Sequence, residues 1–204
     1  PAPKLLFLTA PNNPDGSPIA AGDLRRLLQL PLVVVLDEAY IEFHGSGFIE
    51  WVPRHPNLIV LRTFSKWAGL AGLRVGYGAF PRPVIEQLWK IKQPYNVNVA
   101  GQVAALASLE DVETLRANVA RIVAAREQFQ RDLRRIPWLE PYPSRANFVL
   151  ARVLHRDAAA VKEALARRGI LVRHYRTPRL RDHLRFSIGT PAQMARLMEG
   201  LQAL

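Results

Sequence analysis

The sequence has 204 residues, enough for one large domain or two small ones. Hydrophobic residues make up 49% of it and no cysteine is present, which excludes extensive disorder, disulfide bonds and thiolate metal sites. The 28 basic and 17 acidic residues give a net charge of 28 − 17 = +11. The five histidines show no HxxxH spacing, so no metal site is predicted.

The positive charge is scattered along the chain rather than clustered. This distribution favours a solvated surface over a nucleic-acid or membrane partner. The arginines of the predicted helices are expected mostly on polar helix faces: Arg25, Arg26, Arg116, Arg121, Arg126, Arg131, Arg134 and Arg135. No run of about 18 apolar residues occurs, and no secretory signal pattern is seen. A core-strand pattern begins already at Lys4, so we expect that residues upstream are missing.

Residues 1–95 predict one part of a larger α/β domain with a mostly parallel sheet. Apolar runs at Lys4–Thr9, Leu32–Leu36 and Leu58–Leu61 predict buried strands. Leucines at helical spacing over Ala20–Leu30 predict a crossover helix. A further strand is predicted over Arg74–Phe80, which contains closely spaced glycines.

Residues 96–136 predict connecting helices, and residues 137–204 predict a small α/β domain. Its predicted strands begin at Asn147, Ile170 and Leu184, and Gly169 is expected to end the helix before the second of them. The helices of this half are predicted from amphipathic spacing over Pro83–Lys92, Asn98–Leu109, Asp111–Ile136, Ala158–Arg168 and Pro191–Leu201.

Polar side chains follow each of the first three predicted strands. Because ligands bind beyond the carboxyl ends of parallel strands, these groups are expected to converge. Asp37 follows five apolar residues, so its carboxylate would be poorly solvated, and a cationic ligand nitrogen would satisfy it. The alternative is that Asp37 caps the next turn. The complete set is Asn13, Asp37, Tyr40, Thr63, Ser65 and Lys66.

Lys66 is one of only five lysines and precedes an uncharged, glycine-containing loop. Hydroxyls of Thr63 and Ser65, with the guanidinium of Arg74, suit a phosphate. A partly desolvated lysine near such positive charge would be a nucleophilic amine. The alternative is an ordinary surface lysine. A carboxylate, an amine and phosphate donors are together the groups that pyridoxal 5′-phosphate (PLP) requires.

These motifs resemble the fold-type I PLP-dependent aminotransferases, and within them the histidinol-phosphate aminotransferases. The resemblance covers nearly the whole chain in the order of the family. It is carried by segments 11–14 (PNNP), 35–43 (VLDEAYIEF), 62–77 (RTFSKWAGLAGLRVGY), 146–148 (ANF), 169–173 (GILVR) and 184–190 (LRFSIGT).

The resemblance implies a role for each matching residue. Lys66 would form the Schiff base with PLP and then move the substrate proton, while Asp37 would pair with the pyridine nitrogen. The 3′-oxygen of the ring would be bonded by Asn13 and Tyr40. The phosphate would be held by Thr63, Ser65 and Arg74. The substrate would be bound by Arg185 at its α-carboxylate, by Arg173 at its own phosphate, and by Asn13.

The resemblance also implies a cytoplasmic homodimer that uses an amino-acid or amino-alcohol phosphate and 2-oxoglutarate, without nucleic acid or membrane partners. The family usually has Thr at Asp15 and often Ser near Asn98. Its upstream half-domain, which carries the dimer arm, a phosphate-binding turn and a ring-stacking aromatic residue, has no counterpart here. We therefore expect a truncated chain with an incomplete site.

Alternatives stay open at this stage. Threonine-phosphate decarboxylases and aromatic aminotransferases share the fold and the cofactor. The net charge of +11 also leaves a basic, non-catalytic binding fragment as an alternative.

Overall fold

A computed structural model of the protein describes residues 2–204, and these residues form two four-stranded sheets. One sheet belongs to a unit that runs to Asn12 and resumes over Pro18–Ala117. The other belongs to a unit formed by Asn13–Ser17 and Asn118–Leu204. The predicted α/β class with a mostly parallel sheet is confirmed for the first unit. The division at residues 95 and 136 stays a prediction.

The first sheet brings three parallel strands side by side. β1, β2 and β3 are parallel neighbours in that order, and the fourth strand pairs antiparallel with β3. All four were predicted from the sequence, with bounds that differ by up to two residues. They are β1 (Leu5–Thr9), β2 (Val33–Asp37), β3 (Leu58–Thr63) and β4 (Gly76–Ala79).

One face of this sheet carries the core of the first unit. Val34, Leu36, Leu58 and Val60 are fully buried, and Leu24 of α1 (Ala21–Leu27) packs against them. Branched side chains suit this environment because they pack well on a pleated surface. Side chains alternate along a strand, so the residues between these four point to the opposite face.

Three helices follow the first sheet. The side chain of Asn98 caps the second of them by accepting a hydrogen bond from Gly101 N at 2.7 Å. The third helix begins in the first unit and continues into the second. Their bounds are α2 (Arg82–Ile91), α3 (Val99–Glu110) and α4 (Val112–Leu133). Among residues 2–204, no helix combines the length and apolar character needed to cross a bilayer.

The second sheet is antiparallel, with the strand order β5-β6-β8-β7. Val149, Leu184 and Phe186 are fully buried and pack with α4, α5 and α6 in one hydrophobic core. The elements are β5 (Leu139–Pro141), β6 (Phe148–Val153), α5 (Ala158–Arg167), β7 (Arg173–His174), β8 (His183–Ser187) and α6 (Pro191–Gln202).

Two strands differ from the sequence prediction. β7 begins at Arg173 rather than at Ile170, because pairing with β8 starts only there and Leu171 is 86% exposed. β5 was missed, because a strand of three residues that contains Pro141 shows no strand periodicity. Pro141 is tolerated there since β5 lies at the edge of its sheet.

The prediction of a polar, solvated helix face was wrong for Arg126. Its side chain is only 1% exposed, and its Nη1 donates to the carbonyl oxygen of Ala146 at 3.1 Å. The helical pattern identified a polar face of α4 correctly. It did not show that residues distant in sequence cover part of that face.

Candidate functional site

Asp37 is the last residue of β2 and is half-buried. Its Oδ1 accepts a hydrogen bond from Ala39 N at 3.0 Å, so it does cap the following turn. Its Oδ2 has no hydrogen-bond partner among residues 2–204. The two interpretations of Asp37 are therefore compatible, since one oxygen holds the turn and the other remains available to a donor.

Asp37 and Thr63 lie on the same face of the first sheet. The register places Asp37 beside Leu61 of β3, and Thr63 follows Leu61 by two residues. Side chains two residues apart in a strand share a face. The carboxylate after β2 and the hydroxyl at the end of β3 thus lie on the face opposite the buried core.

The amine of Lys66 lies against the aromatic ring of Tyr40, with 5.7 Å between Nζ and the ring centroid. Tyr40 is buried and follows Asp37 by three residues. Lys66 makes no hydrogen bond or ion pair with the described residues. Its side chain is exposed, which corrects the prediction of a partly desolvated amine. The Tyr40 ring covers one side of the side chain only, which explains the exposure.

Thr63 and Ser65 form a pair of hydroxyls just before Lys66. Thr63 Oγ1 lies 2.8 Å from Ser65 Oγ and 3.1 Å from Val75 O, and it accepts from Ser65 N at 3.0 Å. A hydroxyl has one proton to donate. When Thr63 donates to Ser65 Oγ, the proton of Ser65 can be directed to an anion.

Arg74 ends the glycine-containing loop in the left-handed backbone region, with φ 59° and ψ 45°. This conformation is uncommon for a residue with a side chain, and such strain is concentrated at functional sites. Its Nη1 donates to Ala71 O at 2.8 Å, and the side chain is otherwise exposed. Four further N–H donors of the guanidinium remain available.

The loop that carries Lys66 and Arg74 is supported by α3. Asn98 Nδ2 donates to Leu73 O at 2.9 Å, in addition to its capping bond. Gly101 permits this approach, because an added Cβ would lie 2.8 Å from Val75 Cγ2 and 2.9 Å from Leu73 O. The departure from the family at Asn98 therefore has a structural use, since its amide both caps the helix and holds the loop.

Sequence reasoning missed Glu38 and Arg62. Glu38 is fully buried, and its carboxylate accepts from Phe48 N at 2.6 Å and from Arg62 Nε at 2.9 Å. Each lies next to a site residue, Asp37 and Thr63 respectively. The ion pair therefore joins the carboxyl ends of β2 and β3. The sequence did contain a signal for Glu38. Asp37 and Glu38 are successive residues at a strand end, and because side chains alternate along a strand, the two carboxylates must face opposite sides of the sheet.

Glu42 lies close to this ion pair. Burial raises its pKa to about 7, an effect that Arg62 opposes and the charge of Glu38 reinforces. Its Oε2 is buried without a hydrogen-bond partner among residues 2–204. Glu42 is thus largely protonated below neutral pH.

In the second unit, Arg185 of β8 binds Asn13. Arg185 Nη1 donates to Asn13 Oδ1 at 2.6 Å, and the guanidinium lies 4.7 Å from the ring centroid of Phe148. Arg185 Nε is buried and has no hydrogen-bond partner among the described residues. Arg185 is therefore held by specific contacts and is not an ordinary surface arginine.

Arg173 of β7 lies directly opposite Arg185 across the antiparallel pair. Side chains of directly opposed residues point to the same face of a sheet, and like charges there are destabilising. The guanidinium of Arg173 is exposed and lies 5.5 Å from the Tyr175 ring. Two adjacent cations on one face are well suited to an anionic ligand.

The groups in the first unit fit PLP. Asp37 Oδ2 is an acceptor suited to a pyridinium N–H, and the amine of Lys66 is unpaired. Thr63, Ser65 and Arg74 offer the donors that a phosphate requires. No group of three metal-ligating His, Asp or Glu side chains occurs among residues 2–204.

The family model for class I and II aminotransferases matches residues 1–201. The chain belongs to this aminotransferase family. A histidinol-phosphate aminotransferase from Roseiflexus castenholzii is 53% identical over 202 residues, which cover 98% of this chain and 54% of that relative. The aminotransferase chain thus spans about half the length of the curated relative it matches.

Solved aminotransferase structures agree with this assignment. Histidinol-phosphate aminotransferase from Clostridium acetobutylicum superposes with a TM-score of 0.91 at 25% identity, over 98% of this chain and 63% of that one. The enzyme from Sinorhizobium meliloti, solved in complex with PLP, gives a TM-score of 0.86 at 32% identity, over 98% and 57%. The resemblance to fold-type I aminotransferases is confirmed.

Proposed function

We propose that this chain carries the PLP-binding lysine and the substrate arginines of a histidinol-phosphate aminotransferase. The enzyme would exchange an amino group between histidinol phosphate and 2-oxoglutarate by a ping-pong route, with imidazole acetol phosphate and glutamate as products. The observation that carries the proposal is the unpaired amine of Lys66 against Tyr40, three residues after Thr63, which shares a sheet face with Asp37. The names of the relatives support the substrate.

PLP, when bound, supplies an electron sink that stabilises negative charge at the substrate Cα. Asp37 maintains this property by keeping the ring nitrogen protonated through its free Oδ2. An anionic partner favours the protonated form of a base. The bond from Ala39 N fixes the carboxylate, so its orientation does not have to be set when the cofactor binds.

Lys66 serves as the acid and base of the reaction. Its Nζ accepts the proton that leaves the substrate Cα and returns a proton to the carbon on the cofactor side. The Tyr40 ring holds the amine on one side, and we propose that the Tyr40 hydroxyl and Asn13 bond the 3′-oxygen of the cofactor. Positioned proton transfer of this kind contributes about 10²- to 10⁴-fold in rate.

Thr63, Ser65 and Arg74 anchor the phosphate of the cofactor. Arg74 provides a charged fork and Ser65 a directed hydroxyl, and charge-assisted bonds of this type are about twice as strong as neutral ones. Asn98 fixes the loop between them through Leu73. These groups would hold the cofactor in place through its phosphate.

Arg185 binds the α-carboxylate of 2-oxoglutarate or glutamate, with Asn13 fixing the guanidinium. A planar guanidinium matches a carboxylate through two parallel bonds. Arg173, directly opposite, takes the phosphate of histidinol phosphate. A doubly charged phosphate bound between Arg173 and Arg185 would offset the repulsion between the two guanidinium groups. We further propose, from the family resemblance, that the enzyme is a cytoplasmic homodimer.

The cofactor assignment is tested by chemical labelling. The purified chain is mixed with PLP, reduced with borohydride, and the labelled lysine is mapped by mass spectrometry. We expect a visible absorption band and label on Lys66, both absent in Lys66→Ala. The exposed Lys90 and Lys92 serve as internal controls. Equal labelling of all three lysines would contradict the assignment.

The substrate assignment is tested separately in the intact enzyme that carries this chain. Histidinol phosphate, threonine phosphate and aromatic amino acids are compared through the change in cofactor absorbance. We expect the highest kcat/KM for histidinol phosphate with 2-oxoglutarate. Release of carbon dioxide from threonine phosphate would instead identify a decarboxylase. Salt-sensitive retention of the chain on a nucleic-acid column, without any labelling, would favour a binding fragment.

A further inference from the structure

The loop Asn13–Ser17 is held in the second unit by a close contact between Gly16 and Ser144. Gly16 is buried with φ +77°, and a Cβ added to it would lie 2.0 Å from Ser144 Oγ. Arg145 N donates to Gly16 O at 2.8 Å. Position 16 therefore accepts only glycine as long as Ser144 keeps its place.

Ser144 is itself fixed by α4 and by the strand that follows it. It is 3% exposed, its N donates to Gln130 Oε1 at 3.0 Å, and its Oγ donates to Phe148 O. The buried Arg126 donates to Ala146 O from the same helix. Ser144, which contacts Gly16, is thus held by Gln130 of α4 and by Phe148 of β6.

The other end of the loop is held by Arg185. Its guanidinium rests on the ring of Phe148 and donates to Asn13 Oδ1. The loop is thus held at two points, by Ser144 at Gly16 and by Arg185 at Asn13, and these two points are three residues apart. Asp15 spans Gly16 within the loop, since its Oδ1 accepts from Ser17 N at 3.2 Å and lies 3.0 Å from Ser17 Oγ. Asn13 itself is exposed, so burial of its own side chain does not fix it.

We propose that Gly16 and Ser144 are positioning residues that set the Asn13–Arg185 pair for the substrate carboxylate. This inference rests on the proposed function. A shift of Gly16 passes through a short, internally bonded loop to Asn13 and alters the orientation of the guanidinium. A displacement of about 1 Å at such a group can cost about 100-fold in catalysis.

The test compares Gly16→Ala with Gly45→Ala. Gly45 also has a positive φ, of +92°, but an added Cβ meets no atom within 4 Å. Both variants carry the backbone strain, and only Gly16→Ala forces Ser144 away. In the intact enzyme we expect Gly16→Ala to raise the KM for 2-oxoglutarate about 10- to 100-fold, with a smaller effect on kcat. Gly45→Ala should leave KM unchanged.

A second-site change provides the rescue. Ser144→Gly removes both Oγ and Cβ, the atoms nearest the added methyl group. We expect Gly16→Ala with Ser144→Gly to have a lower KM than Gly16→Ala alone, because the methyl group no longer meets Ser144. Its KM should stay above that of the wild type, because the Oγ bonds of Ser144 are lost. If the double variant behaves like Gly16→Ala alone, or if Gly16→Ala matches Gly45→Ala in KM, the inference is overturned.

A binding measurement separates this inference from the proposed function. Succinate binding to the cofactor-free chain, followed by calorimetry, reports the arginine pair without any turnover. We expect weaker binding in Gly16→Ala and wild-type binding in Gly45→Ala. If Gly16→Ala does not fold, Ser144→Ala is used instead, because it removes the Oγ bonds alone. Loss of thermal stability in Ser144→Ala with unchanged succinate affinity would overturn the inference, whereas failure of Lys66 labelling would overturn only the proposed function.

Discussion

Arg173 and Arg185 lie directly opposite each other on the antiparallel strands β7 and β8. Two guanidinium groups on one face repel each other unless an anion or a polar group separates them. Asn13 partly satisfies Arg185 through its side-chain oxygen, and Arg173 has only the ring of Tyr175 nearby among its described contacts. The fold thus keeps two cations together, an arrangement that suits an anionic ligand such as a phosphate or a carboxylate.

Arg185→Lys should weaken the binding of every amino-acid substrate. A lysine keeps the charge but loses the paired donors of the guanidinium fork. We expect kcat/KM to fall about 10- to 100-fold, which corresponds to about 1.5–3 kcal/mol. Steady-state kinetics with glutamate and with histidinol phosphate measures this, and Arg179→Lys, in an exposed segment, is the control.

Arg173→Gln should raise the KM for one substrate much more than the KM for the other. Its proposed partner is the phosphate, so the KM for histidinol phosphate should rise about 10-fold or more. The KM for glutamate, which has no phosphate, should change less than about twofold. Equal effects on both substrates would show that Arg173 does not select the phosphorylated one.

Glu38→Gln should destabilise the first unit. The substitution leaves Arg62 without its ionised partner in a buried environment, and breaking a buried pair costs about 3–5 kcal/mol. We expect a fall of several degrees in the thermal midpoint and weaker PLP binding, because Asp37 and Thr63 lose their common anchor. Glu113→Gln, which removes an exposed pair with Arg116, is the matched control and should have little effect.

Glu42 should make stability depend on pH. Burial raises its pKa from 4.5 to about 7, so the folded protein binds this proton more tightly than the unfolded chain does. The contribution is complete below about pH 4.5 and is lost as pH rises through about 7. After discounting for partial exposure, we expect about 1–2 kcal/mol between these limits.

Urea unfolding at pH 5 and pH 8 measures this dependence. In Glu42→Gln the proton no longer titrates, so the difference between the two pH values should shrink. Glu50→Gln, at an exposed position close in sequence, provides the comparison. An unchanged pH dependence in Glu42→Gln would show that another group causes it.

Local pattern predicted the elements that depend on local forces. The runs before Asp37 and Thr63 became buried parallel strands because an apolar run of four or five residues packs most favourably inside a sheet. Gly169 ends α5 with φ +72° as expected. β5 was missed because periodicity is not visible in a three-residue edge strand that contains Pro141.

The contacts that Arg126 and Gly16 make could not be predicted from local sequence pattern. Arg126 fits a solvated helix face by spacing alone, yet residues 144–146 cover it. Gly16 gave only a turn signal, although its neighbour across the fold is Ser144. Sequence separation in these pairs is about 20 residues in one and more than 100 in the other, so no local pattern relates their members.

By itself the sequence determined the chemistry available, because residue type fixes what Lys66, Asp37 and the arginines can donate, accept or carry. It also determined the order of strands and helices, since periodicity and turn residues act over a few positions. Only the tertiary structure decided which of these groups meet. Strand register placed Arg173 opposite Arg185, burial raised the pKa of Glu42, and packing brought Gly16 into contact with Ser144. Each of these depends on distances between segments that are far apart in the sequence, and local sequence pattern does not set those distances.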